Sequence, residues 1–141
     1  MAEAKQLVEQ AWSAIESGAF DRFEDIFSAD AELRTSSAAG TGLDYVRGVF
    51  TRHLQAYPDM RHVVLDCVEG DAAVALEIEF TATHRGQLRG PNGAIAPTGR
   101  KITWRSSDHI RVANGRIVSW HAYFDRLAQR EQLGLPTAAA S

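Results

Sequence analysis

The chain is short of most features that mark a specialised class of protein. It holds one cysteine in 141 residues, so no disulfide can close within it and no cysteine-rich zinc or iron–sulfur site can form. Cys67, between Asp66 and Val68 in a strand-like run, reads as a small apolar residue rather than a nucleophile. Positive charge is not in excess: 15 Lys and Arg against 18 Asp and Glu give a formal net charge of −3 with histidines neutral. The basic excess or stripe of a nucleic-acid binder is missing. No apolar run approaches the ~20 residues of a membrane-spanning helix, and the opening MAEAKQLVEQ lacks the apolar centre of a secretory signal. Gly90 to Gly99 lacks the Lys-Ser/Thr of a phosphate-binding loop. A soluble, cytoplasmic protein without nucleic-acid or membrane partners is expected.

What is present is an ordinary share of apolar residues, 45%, against 23% charged, enough for a packed core. The length suits one domain, 1–141, ordered over about residues 4–135 and burying roughly two thirds of its unfolded surface. Leu7, Val8, Ala11, Trp12 and Ile15 make a helical stripe between Glu3 and Ser17, stopped at Gly18. A short helix follows from Phe20 to Phe27, then a strand over 31–35 and a loop over 36–40. Thr41 is positioned to cap a helix from Leu43 to Tyr57 that buries Val46, Phe50, Leu54 and Tyr57 and ends before Pro58. The rest reads as sheet: strands at 61–68 and 72–88, a loop at 90–99, and a hairpin of 101–112 with 116–124 around Asn114-Gly115. A short helix at 127–133 ends at Gly134, and 136–141 is expected to fray. Helices in the first half and antiparallel strands in the second predict an α+β fold, a cone-shaped curved sheet packed on the helices and enclosing a cavity.

A two-residue turn at Asn114-Gly115 sets the hairpin register. Val112 then faces Ile117, Asp108 faces His121, Ser106 faces Tyr123 and Trp104 faces Asp125. Alternation collects Trp104, Ser106, Asp108, Ile110, Val112, Ile117, Ser119, His121, Tyr123 and Asp125 on one face. Its apolar half and its polar half together suit the wall of a polar-ended cavity. The opposite face carries Val118, Trp120, Ala122 and Phe124, an apolar patch expected to form a homodimer contact.

The chain also resembles the SnoaL-like polyketide cyclase family of the nuclear-transport-factor-like superfamily. The matching pieces are Tyr57-Pro58-Asp59-Met60, Thr83-His84-Arg85-Gly86, Pro97-Thr98-Gly99-Arg100, Asn114-Gly115-Arg116-Ile117-Val118, Tyr123-Phe124-Asp125 and Gln132-Leu133-Gly134, together spanning about Ala4 to Leu135. The resemblance implies a dimeric cone of sheet closed by helices, with one cavity per subunit. It implies intramolecular aldol cyclisation of a polyketide without metal or cofactor, and an acid/base aspartate at the end of the last strand, matched here by Asp125. Close relatives of such cyclases are implicated in hydroxylation. Ala82, the 90–99 loop, Glu77 and Glu79 depart from the pattern and bear on substrate more than on fold.

The expected catalytic group is therefore Asp125 as general acid/base, with His121 as a donor to a substrate carbonyl and Asp108 orienting it or serving as a second acid. Asp125 could instead simply cap the last helix, and His121 could be a structural histidine. Trp104 and Tyr123 would form a flat wall for a small apolar or aromatic substrate, joined by Ser106, His84, Phe50 and Trp12. Trp104 could equally be core, and the direction of His84 depends on the long strand having no bulge. His53 and His62 read as surface or helix residues. Asp108, His121 and Asp125 lack metal-ligand spacing, so no metal is expected. The rival functions are a hydroxylase or isomerase of the same fold, or a module that only binds a ligand.

Overall fold

The computed structural model describes residues 3–90 and 92–136; the rest of the tail expected to fray, 137–141, lies outside them. Helix α1 (Glu3–Ser17) buries Leu7, Val8, Ala11, Ala14 and Ile15, the stripe its spacing prescribes. A 3₁₀ turn, Phe20–Arg22, leads into the short α2 (Phe23–Ile26). Strand β1 (Phe27–Arg34) starts earlier than expected, and β2 (Ala39–Thr41) occupies the expected loop. Thr41 is thus in a strand and does not cap α3 (Leu43–Ala56); Gly42 stands at the cap with φ 99°, a conformation that favours glycine. Strands β3 (Arg61–Gly70), β4 (Ala73–Thr83), β7 (Lys101–Ala113) and β8 (Arg116–Phe124) follow, and α4 (Arg126–Leu133) ends at Gly134 with φ 72°. Within the loop expected at 90–99, β5 (Leu88–Gly90) and β6 (Gly93–Ile95) make a small separate hairpin.

The fold is α+β, as expected. One curved six-stranded sheet runs β2-β1-β8-β7-β4-β3. It is antiparallel except where β1 lies parallel to β8. Register shifts in β1, β3 and β8 bend it. Helices α1 and α3 lie on the concave side, and the core forms between them and Phe27, Leu76, Ile78, Ile110 and Ile117. No helix among the described residues is long and apolar enough to cross a membrane.

One irregularity overturns the expected hairpin faces. The turn is as predicted, with Ala113 opposite Arg116 and Val112 opposite Ile117. Beyond it Arg111 pairs with Ser119, leaving Val118 as an extra residue in β8. Past the bulge Ile110 pairs with Trp120, His109 with His121, Asp108 with Ala122 and Ser107 with Tyr123. A shift by one residue exchanges the faces of a strand. Trp104, Ser106, Asp108, Ile110 and Val112 point inward as expected, whereas His121 and Tyr123 point outward and Trp120, Ala122 and Phe124 point inward. The expected dimer patch is therefore not a surface: Trp120 is 1% exposed, inside its own subunit.

Candidate functional site

Between the concave sheet face, α1, α3, α4 and the β5–β6 hairpin lies a cavity of about 210 Å³, below the roughly 300–1,000 Å³ usual for a ligand site. Aromatic rings make its walls. Phe80, Trp104 and Phe124 stack across β4, β7 and β8 with centroids 4.3 and 4.6 Å apart. Trp12, Phe50 and Trp120 meet edge to face on the other side, at 4.9 to 6.2 Å. All 3 tryptophans of the chain line this space.

Among the described residues Asp108 is the only carboxylate in that lining. It is 1% exposed; Trp120 Nε1–H donates to its Oδ2 at 2.8 Å, and Ser106 Oγ–H donates to its Oδ1. Burial pushes its pKa up to about 6, with these two donors and His109 pulling the other way. A carboxylate so placed exchanges protons near neutrality, the property a general acid/base needs.

Two histidines and a tyrosine also line the cavity. His53, on α3, is held neutral: burial, helped by the charge of His62, drives its pKa down to about 3. It packs against Tyr57 and Phe80 with ring centroids 5.4 and 5.1 Å away. His62, on β3, stacks on Trp12 at 3.6 Å, and Glu16 Oε2 accepts from both its backbone N–H and Nδ1, each at 2.9 Å. Burial lowers the His62 pKa, partly opposed by Glu16. Tyr57, at the end of α3, accepts from Gln129 Nε2 at 2.8 Å, and burial pushes its pKa up to about 12, so it stays protonated.

The expected site residues divide. Trp12, Phe50, Trp104, Ser106 and Asp108 line the cavity. Tyr123 is 43% exposed on the outer face. His121 is there too, its Nε2 2.6 Å from Glu32 Oε1, and so it neither meets Asp108 nor reaches a substrate in the cavity. His84 is fully buried behind Tyr57, Nδ1 3.0 Å from Thr98 Oγ1 and 3.1 Å from the Thr98 N–H that donates to it; it is not in the lining. Asp125 caps α4, Oδ1 accepting from Ala128 N–H at 3.0 Å, and opens on a shallow outer groove beside Tyr123. The capping alternative describes its place.

His53, His62, Tyr57 and Gln129 were missed as lining residues. The signal for His53 was present: it falls at the seventh position from Val46 and the third from Phe50, on the buried stripe of α3. His62 required the β3–β4 register, which sets it opposite the inward Phe80. Among the described residues no group of three His, Cys, Asp or Glu is placed to hold a metal ion.

The sequence profile of the SnoaL-like polyketide cyclases matches residues 2–133. The chain belongs to this family. No curated protein matches it. Among solved structures it is similar to AclR from Streptomyces galilaeus, proposed to be a hydroxylase, at 26% identity over 96% of this chain and 99% of that one, TM-score 0.79. A SnoaL-like polyketide cyclase from Agrobacterium tumefaciens shares the fold at 18% identity over 95% and 100%, TM-score 0.76. So does an epoxide hydrolase from M. tuberculosis at 19% over 94% and 90%, TM-score 0.71.

In this SnoaL-like chain the motifs quoted above serve mostly to build the cavity. Asp59 accepts from both the N–H and the hydroxyl of Thr83 at 2.7 Å, tying the end of α3 to β4. Gly86 passes so close to α3 that a Cβ would sit 1.8 Å from the Gln55 carbonyl oxygen. Gln132 brackets the backbone of Thr103 with bonds of 2.7 and 2.8 Å and docks α4 on β7.

Proposed function

We propose that the protein is a small-molecule enzyme that performs acid/base chemistry on a polyketide-like carbonyl compound, with aldol-type cyclisation as the reaction and no cofactor. The observation that carries this reading is Asp108, the one carboxylate among the described residues of an aromatic cavity, with its pKa raised to about 6. The family relationship supports it. In this reading the acid/base role expected of Asp125 passes to Asp108, because of the two only Asp108 is in the cavity lining.

In this reading the Asp108 carboxylate removes a proton from the carbon beside a substrate carbonyl. The electron pair moves to the carbonyl oxygen, where the hydroxyl of Tyr57 or an N–H of neutral His53 stabilises the enolate. The enolate carbon then attacks a second carbonyl carbon of the same molecule, forming the new C–C bond. The resulting alkoxide recovers the proton from Asp108, and no electrons or atoms are left over. The stacked rings of Phe80, Trp104 and Phe124 offer an apolar wall of ring edges against which the substrate is held folded.

Asp108→Asn tests the reading on a panel of aromatic poly-ketone compounds. Turnover should fall by at least about a hundredfold while ligand affinity persists. Turnover within a few-fold of the unsubstituted protein would remove Asp108 as the base. A cavity that binds panel members and converts none would make the protein a binding module.

A further inference from the structure

Three arginines line the same cavity: Arg89 on β5, Arg126 and Arg130 on α4. None of them forms an ion pair with a described residue. Asp108, the one acidic residue among the described residues of the lining, lies five residues along β7 from Thr103, where Gln132 docks the far end of α4, but two from Ser106, which pairs with Phe124 shortly before Arg126; none of the three arginines is among the charges that shift its pKa. The nearest acids in sequence are Asp125 beside Arg126 and Glu131 beside Arg130; Asp125 is turned to the backbone of α4 and the outer groove, and Glu131 is exposed and outside the lining. In a chain of net charge −3, the cavity is therefore locally cationic beside these arginines.

The placing of Arg126 is unfavourable for the helix itself. It is the first residue of α4, whose first turn holds no acid, and a cation there opposes the helix dipole. Its charge reaches the hydroxyl of Tyr57 inside the cavity and favours the ionised phenol. Arg130 Nε donates to the Pro136 carbonyl at 2.9 Å, which steadies a side chain that would otherwise sample solvent. An arginine held against helix electrostatics and aimed at a cavity suits an anionic ligand group, and guanidinium pairs well with carboxylate.

We infer that the substrate carries a carboxylate, bound by Arg126 and Arg130 of α4 together with Arg89 of β5, while its reacting carbon lies at Asp108. This deepens the proposed function and rests on its reading of the cavity as the active site. The substrate class is then an aromatic or fused-ring keto acid in its free acid form rather than its ester, and the cavity volume suits a compact skeleton.

The test compares 2-naphthoate with methyl 2-naphthoate by calorimetry, with quenching of the tryptophans reporting entry into the cavity. The acid should bind about tenfold more tightly at low ionic strength, and the advantage should shrink at about 0.5 M salt. Arg126→Gln with Arg130→Gln should bring the two ligands within about threefold, leaving ester affinity and thermal stability near their original values. Equal binding of acid and ester, or a preference that survives the double substitution, overturns the inference. The two readings fail separately. If Asp108→Asn destroys turnover and no acid preference exists, the carboxylate assignment falls and the acid/base reading stands. If the preference exists and Asp108→Asn still turns over, the reverse holds.

Discussion

Trp120 donates its indole N–H to Asp108 at 2.8 Å, from the strand next to that of Asp108 and inside the subunit. Trp120 pairs with Ile110 rather than with Asp108, so the bond runs diagonally across the inner face of the sheet. With the Ser106 hydroxyl on the other oxygen, the carboxylate has donors for its charged form in a place that disfavours charge. The result is a pKa near 6 instead of one far above or below neutrality.

That balance makes Asp108 costly to the fold. Its pKa in the folded chain, about 6, lies above the ordinary 3.8, so between these values the folded state binds more protons than the unfolded one. Stability therefore falls as pH rises from about 4 to about 6, by up to about 3 kcal/mol at ~1.4 kcal/mol per pH unit, and stays low above. Asp108→Asn, which still accepts from Trp120, should raise Tm by several degrees at about pH 8 and change it little near pH 4. Calorimetric melting of both proteins across that range checks it; a variant less stable at both ends would show that the charge is well accommodated.

Trp120→Phe removes one donor and keeps most of the ring packing. Without it the charged form of Asp108 is worse solvated, so its pKa should rise by about one pH unit and the acid limb of the pH–rate profile should move up with it. A loss of rate with an unmoved profile would leave Trp120 a packing residue only. Trp120→Lys, which the expected dimer contact would have made a dissociation test, should instead unfold the chain, because it buries an unpaired ammonium.

The division between what was legible and what was not follows the range of each signal. Alternation within one strand is local, and the inward set of β7, including Asp108 and Trp104, is correct. Carrying that set across to β8 needed every intervening residue to pair, and Val118 does not. A clue lay in the spacing of Ile117 and Trp120: two bulky apolar residues three apart cannot both face inward on a regular strand, yet both are buried. His53 was legible on its helix stripe, in line with Val46 and Phe50, although it reads in sequence as a surface or helix residue. The β5–β6 hairpin was hidden by glycine and proline, which mark turns without saying what lies between them.

Asp125 supplies a direct check on that division. Asp125→Ala should lower stability by about 1 kcal/mol through loss of the α4 cap, while Asp125→Asn, itself a good cap, should melt close to the unsubstituted protein. Both should retain turnover within about threefold below their melting range, since the side chain of Asp125 is not itself in the cavity lining. Asp125→Asn with normal melting and a tenfold or greater loss of kcat would return the acid/base role to the end of the last strand.

His53 makes an opposite demand on pH. It is held neutral, with its pKa driven from 6.5 to about 3, so the unfolded state binds the extra proton first as pH falls. The stability that comes from keeping it neutral is complete above about pH 6.5 and is lost progressively as pH drops toward 3. Asp108 gains protons in the folded state over part of that range, so the two slopes oppose each other in the unsubstituted protein. His53→Gln retains a neutral donor and removes the histidine titration. Melted between about pH 4 and pH 7, it should lose less stability on acidification than the unsubstituted protein, and its difference from it should vanish near pH 7. It should also keep measurable turnover, whereas His53→Phe, which has no donor for an enolate oxygen, should lose about tenfold or more in kcat with ligand affinity kept. Equal acid sensitivity in His53→Gln would mean the imidazole is solvated and charged in the folded chain, and that the neutral donor assigned to it does not exist.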